Sequence, residues 1–198
     1  MGRNRSGVAG VAVWLVCAHA AGAAVITFGT QELDDLQSAG VRTEGAFRYQ
    51  ASGAGWDLAP VGNPSAALAT VWSGPGPAIG DTVDVTAVGG GLFTFDSIDF
   101  RGANDGECHD LILRGYLAGV ASGDALSLTG SPVAFQTVPS GFAGPVDLLR
   151  IELTGFLGAS ALITDNIRVT PVPEPASLLT GLLLLAPSRR LTRRRQPA

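Results

Sequence analysis

Phe93-Thr94-Phe95-Asp96-Ser97-Ile98-Asp99-Phe100 decides the fold. Apolar residues hold the odd positions as far as Phe95 and the even positions from Ile98 onward. Side chains of a strand alternate between its two faces, so residues of one parity share a face. A parity change near Ser97 therefore predicts a β-bulge or sheet corner, where one inserted residue bends the strand. Leu148 to Thr154 carries the plainer pattern. There Leu149, Ile151 and Leu153 line one face, while Leu148, Arg150 and Glu152 line a face turned to water.

Working outward, short apolar runs broken by Gly, Pro, Asn and Asp predict strands at 25–28, 46–50, 66–72, 82–88, 92–101, 110–117, 125–128, 133–138, 148–154 and 160–169. So many strands in one domain predict an all-β fold of two packed sheets, a sandwich. Glu32 to Ala39 is the one helical candidate in this span, and no fixed-period repeat is present. The chain has 198 residues, enough for one ordinary domain once its ends are set aside. With 27 Gly and 15% charged residues it is too apolar for disorder and too turn-rich for a helical bundle.

Every basic side chain is Arg, and seven of the 13 lie at the two ends. Between them six Arg face sixteen acidic residues. Such a domain repels phosphate backbones and lacks a basic stripe, which excludes nucleic acid as a partner. Neutral glycans or cations are the expected companions.

The ends read as addresses. Arg3 and Arg5 precede an apolar run from Gly7 to Ala18, and small residues follow at Ala18-His19-Ala20 and Ala21-Gly22-Ala23. This is the build of a signal peptide over residues 1–24, cut by signal peptidase after Ala23 or Ala24. Cys17 follows Val16 rather than a small residue, which argues against lipidation. Cleavage leaves Cys108 as the single cysteine, so no intramolecular disulfide forms. At the other end Val172-Pro173-Glu174-Pro175 precedes an apolar segment, Leu178 to Ala186, and the cluster Arg189, Arg190, Arg193, Arg194 and Arg195. Prolines end the preceding strand, the apolar run enters a bilayer, and the arginines hold their end on the cytoplasmic side. As a helix, Ala176 to Ala186 is about 16 Å long against a hydrocarbon core of about 30 Å, a weak anchor.

This tail, residues 171–198, closely resembles the PEP-CTERM sorting signal of Gram-negative bacteria. The resemblance implies a membrane protease of the exosortase type as partner, cutting near Pro173-Glu174-Pro175, in cells that make exopolysaccharide. Residues 25–170 resemble the jelly-roll ectodomains that precede this tail. Gly55-Trp56, Gly62-Asn63-Pro64, the 93–100 stretch, Arg114-Gly115-Tyr116 and Thr164-Asp165-Asn166-Ile167 carry that likeness. It implies a carbohydrate-module-like sandwich, exported to the envelope or beyond and transiently held in the inner membrane by its C-terminal segment.

Candidate sites are few. Asp165 shares parity with Ile163, Ile167 and Val169, so an unbroken strand would bury it. A buried carboxylate must be paired, hydrogen-bonded, metal-bound, or turned outward by a bulge. Asp165 and Asn166, with Asp34 or Asp35, would suit the oxygen shell of Ca²⁺, the one candidate cofactor; a structural hydrogen bond is the alternative. Glu107-Cys108-His109-Asp110 lacks metal-ligand spacing and reads as a hairpin loop. No catalytic residues are assigned: His109 is the single histidine after signal removal, and no triad forms around it. Gly89-Gly90-Gly91 has neither the Lys nor the helix of a nucleotide loop. Sugar rings stack on exposed aromatics, which makes Trp56, Trp72, Tyr49 and Tyr116 the candidate glycan contacts, Trp56 first. The leading expectation is a non-enzymatic envelope or matrix protein that binds extracellular polysaccharide. A secreted glycoside hydrolase and a self-assembling matrix protein are its rivals.

Overall fold

A computed structural model of the chain describes residues 22–28, 41–53, 56–59, 62, 67–70, 78–102, 109–130, 132–156 and 162–173. Twelve strands are found among them: β1 Ala24–Ile26, β2 Val41–Glu44, β3 Phe47–Ser52, β4 Trp56–Ala59, β5 Ala67–Thr70, β6 Thr82–Ala87, β7 Phe93–Gly102, β8 His109–Leu117, β9 Val120–Leu128, β10 Gln136–Pro139, β11 Leu148–Phe156 and β12 Leu162–Pro171. All pairings are antiparallel. The first sheet runs β10-β7-β12-β5-β4, with β1 also on β12; the second runs β2-β3-β6-β11-β8-β9. The chain crosses repeatedly between the two, and Ala21–Glu174 forms one compact unit.

The inner faces meet in a single apolar core, as the alternation in 148–154 requires. Phe47 of the second sheet meets Phe93 of the first edge-on at 5.3 Å, and Phe28 meets Tyr49 in the same way at 5.3 Å. Leu149, Ile151 and Leu153 are fully buried beside Val83, Val85, Leu111 and Leu113. Each such side chain contributes about 1.5–3 kcal/mol on burial. The all-β two-sheet sandwich expected from the sequence is the fold observed, and each expected strand has a counterpart with shifted ends. Two strands were not anticipated. β2 has a single apolar residue, Val41, and sits at a sheet edge, where little burial pattern is needed. β4, just after Gly55, pairs with β5 and buries Trp56 and Leu58.

The parity change in 93–100 has the expected cause. Phe93 and Phe95 are buried, then Ile98 and Phe100, and the β7–β12 register slips twice around this point. Between the Asp165–Asp99 and Arg168–Ser97 pairs β12 carries one extra residue; between Arg168–Ser97 and Val169–Phe95 β7 carries one. The two bulges cancel, so the register beyond them is restored. Asn166 marks the β12 bulge with a φ of 47°, a left-handed conformation that Asn tolerates better than most residues. Ile163 and Asp165 thereby point away from the core, while Ile167 and Val169 point into it. The expected helix at 32–39, Glu107 and Cys108 of the expected hairpin loop, and residues 1–21 and 174–198 of the terminal segments lie outside the described residues; His109 and Asp110 of that loop instead begin β8, paired with β11. No helix among the described residues is long and apolar enough to cross a membrane.

Candidate functional site

The outward face of the second sheet carries an ordered polar grid. Three rows cross β3, β6, β11 and β8: Arg48–Thr86–Leu148–Tyr116, Gln50–Asp84–Arg150–Arg114, and Ser52–Thr82–Glu152–Ile112. Cross-strand neighbours lie close enough to bond, and two of the opposite pairs, Arg48–Thr86 and Asp84–Arg150, do so. Arg150 donates from Nε and Nη2 to the two carboxylate oxygens of Asp84, both at 2.7 Å. Its guanidinium also lies over the Tyr116 ring, 5.5 Å from the centroid. Arg48 Nε donates to Thr86 Oγ1 at 2.8 Å, and Arg114 approaches Glu152 at 4.0 Å.

These contacts fix the side chains in place. The Asp84 hydrogen bonds above all, against the opposing effect of partial burial, raise the pKa of Arg150 beyond its ordinary value, so it stays charged at every accessible pH. With about a third of each side chain exposed, the Arg150–Asp84 pair contributes about 1 kcal/mol of stability at most. Its larger effect is geometric: it holds a planar guanidinium at a set angle on the sheet. Two shallow hollows flank the middle row and share Gln50 and Asp84. One, of about 290 Å³, is bounded by Arg48, Thr86 and Leu148; the other, of about 420 Å³, by Ser52, Thr82 and Arg150. The two lie one after the other along β3 and β6, a groove-like stretch with the middle row at its centre.

The aromatics proposed from sequence divide. Tyr116 is half-buried on this face, though one side of its ring is taken by Arg150. Trp56 and Tyr49 are corrections: they are 0% and 2% exposed and pack in the core, so neither offers a ring face to a sugar. Trp56 sits opposite Thr70 on the inward parity of β4, and Tyr49 alternates with the outward Arg48 and Gln50. Burial, with a lesser push from Glu44, drives the Tyr49 hydroxyl up to about 12. Trp72 lies outside the described residues. Sequence reasoning passed over Arg48, Gln50 and Asp84. The signal was present as outward parity in β3 and β6, and it was already legible for Arg150 in 148–154.

The outward face of the first sheet holds the carboxylates. Asp165 is fully buried and accepts the Asn166 amide at 2.7 Å. Asp99, 2% exposed, accepts from Thr137 Oγ1 at 2.6 Å, Arg168 Nη1 at 2.9 Å, Arg168 Nη2 at 3.2 Å and Asn166 Nδ2 at 2.9 Å. Burial alone would raise the Asp99 carboxyl, but the donors from Arg168, Thr137 and Asn166 and the Arg168 charge together hold it below its ordinary value. Asp165 and Asn166 thus belong to a hydrogen-bonded network anchored by an ion pair. Among the described residues no three His, Cys, Asp or Glu side chains are grouped to hold a metal, and Asp34 and Asp35 lie outside them. Of the sorting residues, Val172 follows β12 and donates to the Leu92 carbonyl at 2.8 Å, and Pro173 is exposed; Glu174, Pro175 and the five arginines lie outside the described residues.

No protein-family model matches the chain, and no curated protein does. Solved structures are similar to it at low identity. A family 32 carbohydrate-binding module from C. perfringens NanJ, in complex with galactose, is 16% identical over 68% of this chain and 96% of its own, with a TM-score of 0.43. A family 29 carbohydrate-binding module is 13% identical over 79% and 97%, with a TM-score of 0.41. The family 11 module of a cellulosomal cellulase of Clostridium thermocellum is 12% identical over 78% and 98%, with a TM-score of 0.36.

Proposed function

We propose that this chain is exported, sorted to the cell envelope by its PEP-CTERM-like tail, and binds extracellular polysaccharide in the groove across β3, β6 and β11. The observation that carries the binding half is the row Gln50–Asp84–Arg150–Arg114, with Arg150 pinned between Asp84 and Tyr116. Sugar recognition needs hydroxyl partners of both kinds held in fixed positions, because ordering them on binding costs affinity. Gln50 offers a donor and an acceptor, and Arg150 retains Nη1 after committing Nε and Nη2 to Asp84. Binding is favoured over hydrolysis because Asp84 has both oxygens engaged by Arg150, and Glu152 faces Arg114. A glycosidase needs one carboxyl group as a proton donor to the leaving oxygen, a role that a carboxylate held ionised by a bidentate guanidinium serves poorly.

The export half rests on the two terminal motifs. Among the described residues the first paired one is Ala24, opposite Val169, so cleavage after Ala23 leaves β1 whole. A glycan array probed with the full-length chain, with calcium and with chelator, tests binding; silence across the array overturns it. An epitope placed after Ala198 tests sorting. It is expected to be lost from protein recovered outside the cytosol, and retention of both termini inside the cell overturns the export reading.

A further inference from the structure

The charge of the groove goes further, resting on the polysaccharide reading, and points to the class of sugar. Six Arg serve a domain with sixteen acids, yet three of the six, Arg48, Arg114 and Arg150, stand on this one face against two carboxylates, Asp84 and Glu152. Arg150 is paired with Asp84 and Arg114 lies against Glu152. Arg48 is the remainder. Among the described residues its partner is the neutral hydroxyl of Thr86, bonded to Nε, and its two terminal nitrogens have no acceptor. It is exposed, and it walls the hollow that contains Gln50 and Asp84.

From these observations we infer that the groove takes a carboxylated polysaccharide, with a uronic-acid carboxylate seated on the Nη1–Nη2 edge of Arg48. A guanidinium edge matches a carboxylate with two parallel hydrogen bonds. The Thr86 bond is made by Nε alone, so Nη1 and Nη2 of this exposed side chain remain to be used. The excess of a single positive charge on the grid suits a singly charged sugar acid, whereas a doubly charged phosphomonoester would bring its second charge beside Asp84. In a domain otherwise acidic, this island is where an anionic polymer can approach without repulsion.

The test compares one oligogalacturonate with its methyl ester, which has the same rings without the charge, by titration against the full-length chain. The acid is expected to bind at least tenfold more tightly at low salt, with the gap closing as salt screens the exposed pair. Arg48→Gln is expected to bring acid and ester within about twofold of each other, whatever it costs the ester, and an unchanged Tm reports that the variant is folded. Arg114→Gln is expected to keep the preference, since Glu152 already faces that charge. Equal affinity for acid and ester, or a preference that survives Arg48→Gln, overturns this inference and leaves glycan binding standing. Tighter binding of dextran sulfate than of oligogalacturonate overturns the carboxylate assignment. Binding of neither form, together with a silent glycan array, removes both this inference and the reading beneath it.

Discussion

Asp99→Asn tests the network that joins β7, β10 and β12. The substitution preserves shape and removes charge. The introduced side chain can still accept through its one oxygen, but an NH₂ group in place of Oδ2 faces both Arg168 Nη2 and the Asn166 side-chain amide, where Asp99 accepts at 3.2 Å and 2.9 Å, and in place of Oδ1 it faces Arg168 Nη1. Breaking a fully buried ion pair costs about 3–5 kcal/mol, because the abandoned charge has no water. Here Asp99 is sealed but the Arg168 side chain is 36% exposed and can rehydrate, so the loss is set nearer that of one charge-assisted hydrogen bond, about 2 kcal/mol. In a domain of this size that lowers Tm by about 4–8 °C. The pH dependence has a fixed sign. The Asp99 carboxyl is depressed in the folded state, so its contribution is complete above the unfolded pKa of about 3.9 and is lost as pH falls through the lower folded value. Urea unfolding of both proteins at neutral pH and at several values below about pH 4 is the assay. The gap between them should be full at neutral pH and shrink toward zero in acid. A gap absent at neutral pH, or unchanged into acid, refutes the network as a source of stability.

Gly115 lies where an added Cβ would come within 2.5 Å of Val146 Cγ1 and 2.9 Å of Phe142 Cε2. Gly115→Ala should therefore cost about 2 kcal/mol by overpacking, measured as a lowered urea midpoint, and an unchanged midpoint would mean that this loop yields freely. The β8–β9 turn places Ala118 at a φ of 50° before Gly119 at 77°, the backbone of a turn that prefers Asn-Gly. Ala118→Asn should raise stability by about 1 kcal/mol in the same assay, with no gain contradicting the turn assignment. Asp99, Asp165 and Asn166 are engaged by protein donors, so added Ca²⁺ should leave Tm unchanged; a rise of several degrees would show an ion site completed by residues such as Asp34 and Asp35.

Strand number and turn breaks revealed the sandwich, and parity showed which face is inward, because Phe93, Phe95, Ile98 and Phe100 of β7 and Leu149, Ile151 and Leu153 of β11 are all buried. Parity also located the bulge near Ser97. The partner bulge was hidden: nothing in Thr164-Asp165-Asn166-Ile167 separates a left-handed Asn from an extended one, and that single angle sends Asp165 outward. The aromatics misled for a related reason. No strand was expected at Trp56 and its ring was taken as exposed, whereas pairing of β4 with β5 turns the indole into the core. The grid was only partly visible, since Arg48, Asp84 and Arg150 are scattered over about a hundred positions and become neighbours through strand order. Sequence can supply parity, but not which strands pair.

The affinity of Arg150→Ala for the strongest array ligand tests the account most directly. The outward face of the second sheet is expected to carry the ligand, so affinity should fall at least tenfold while Tm moves by no more than a few degrees. Unchanged affinity, or a comparable loss from Asp96→Ala on the opposite outer face, would contradict it.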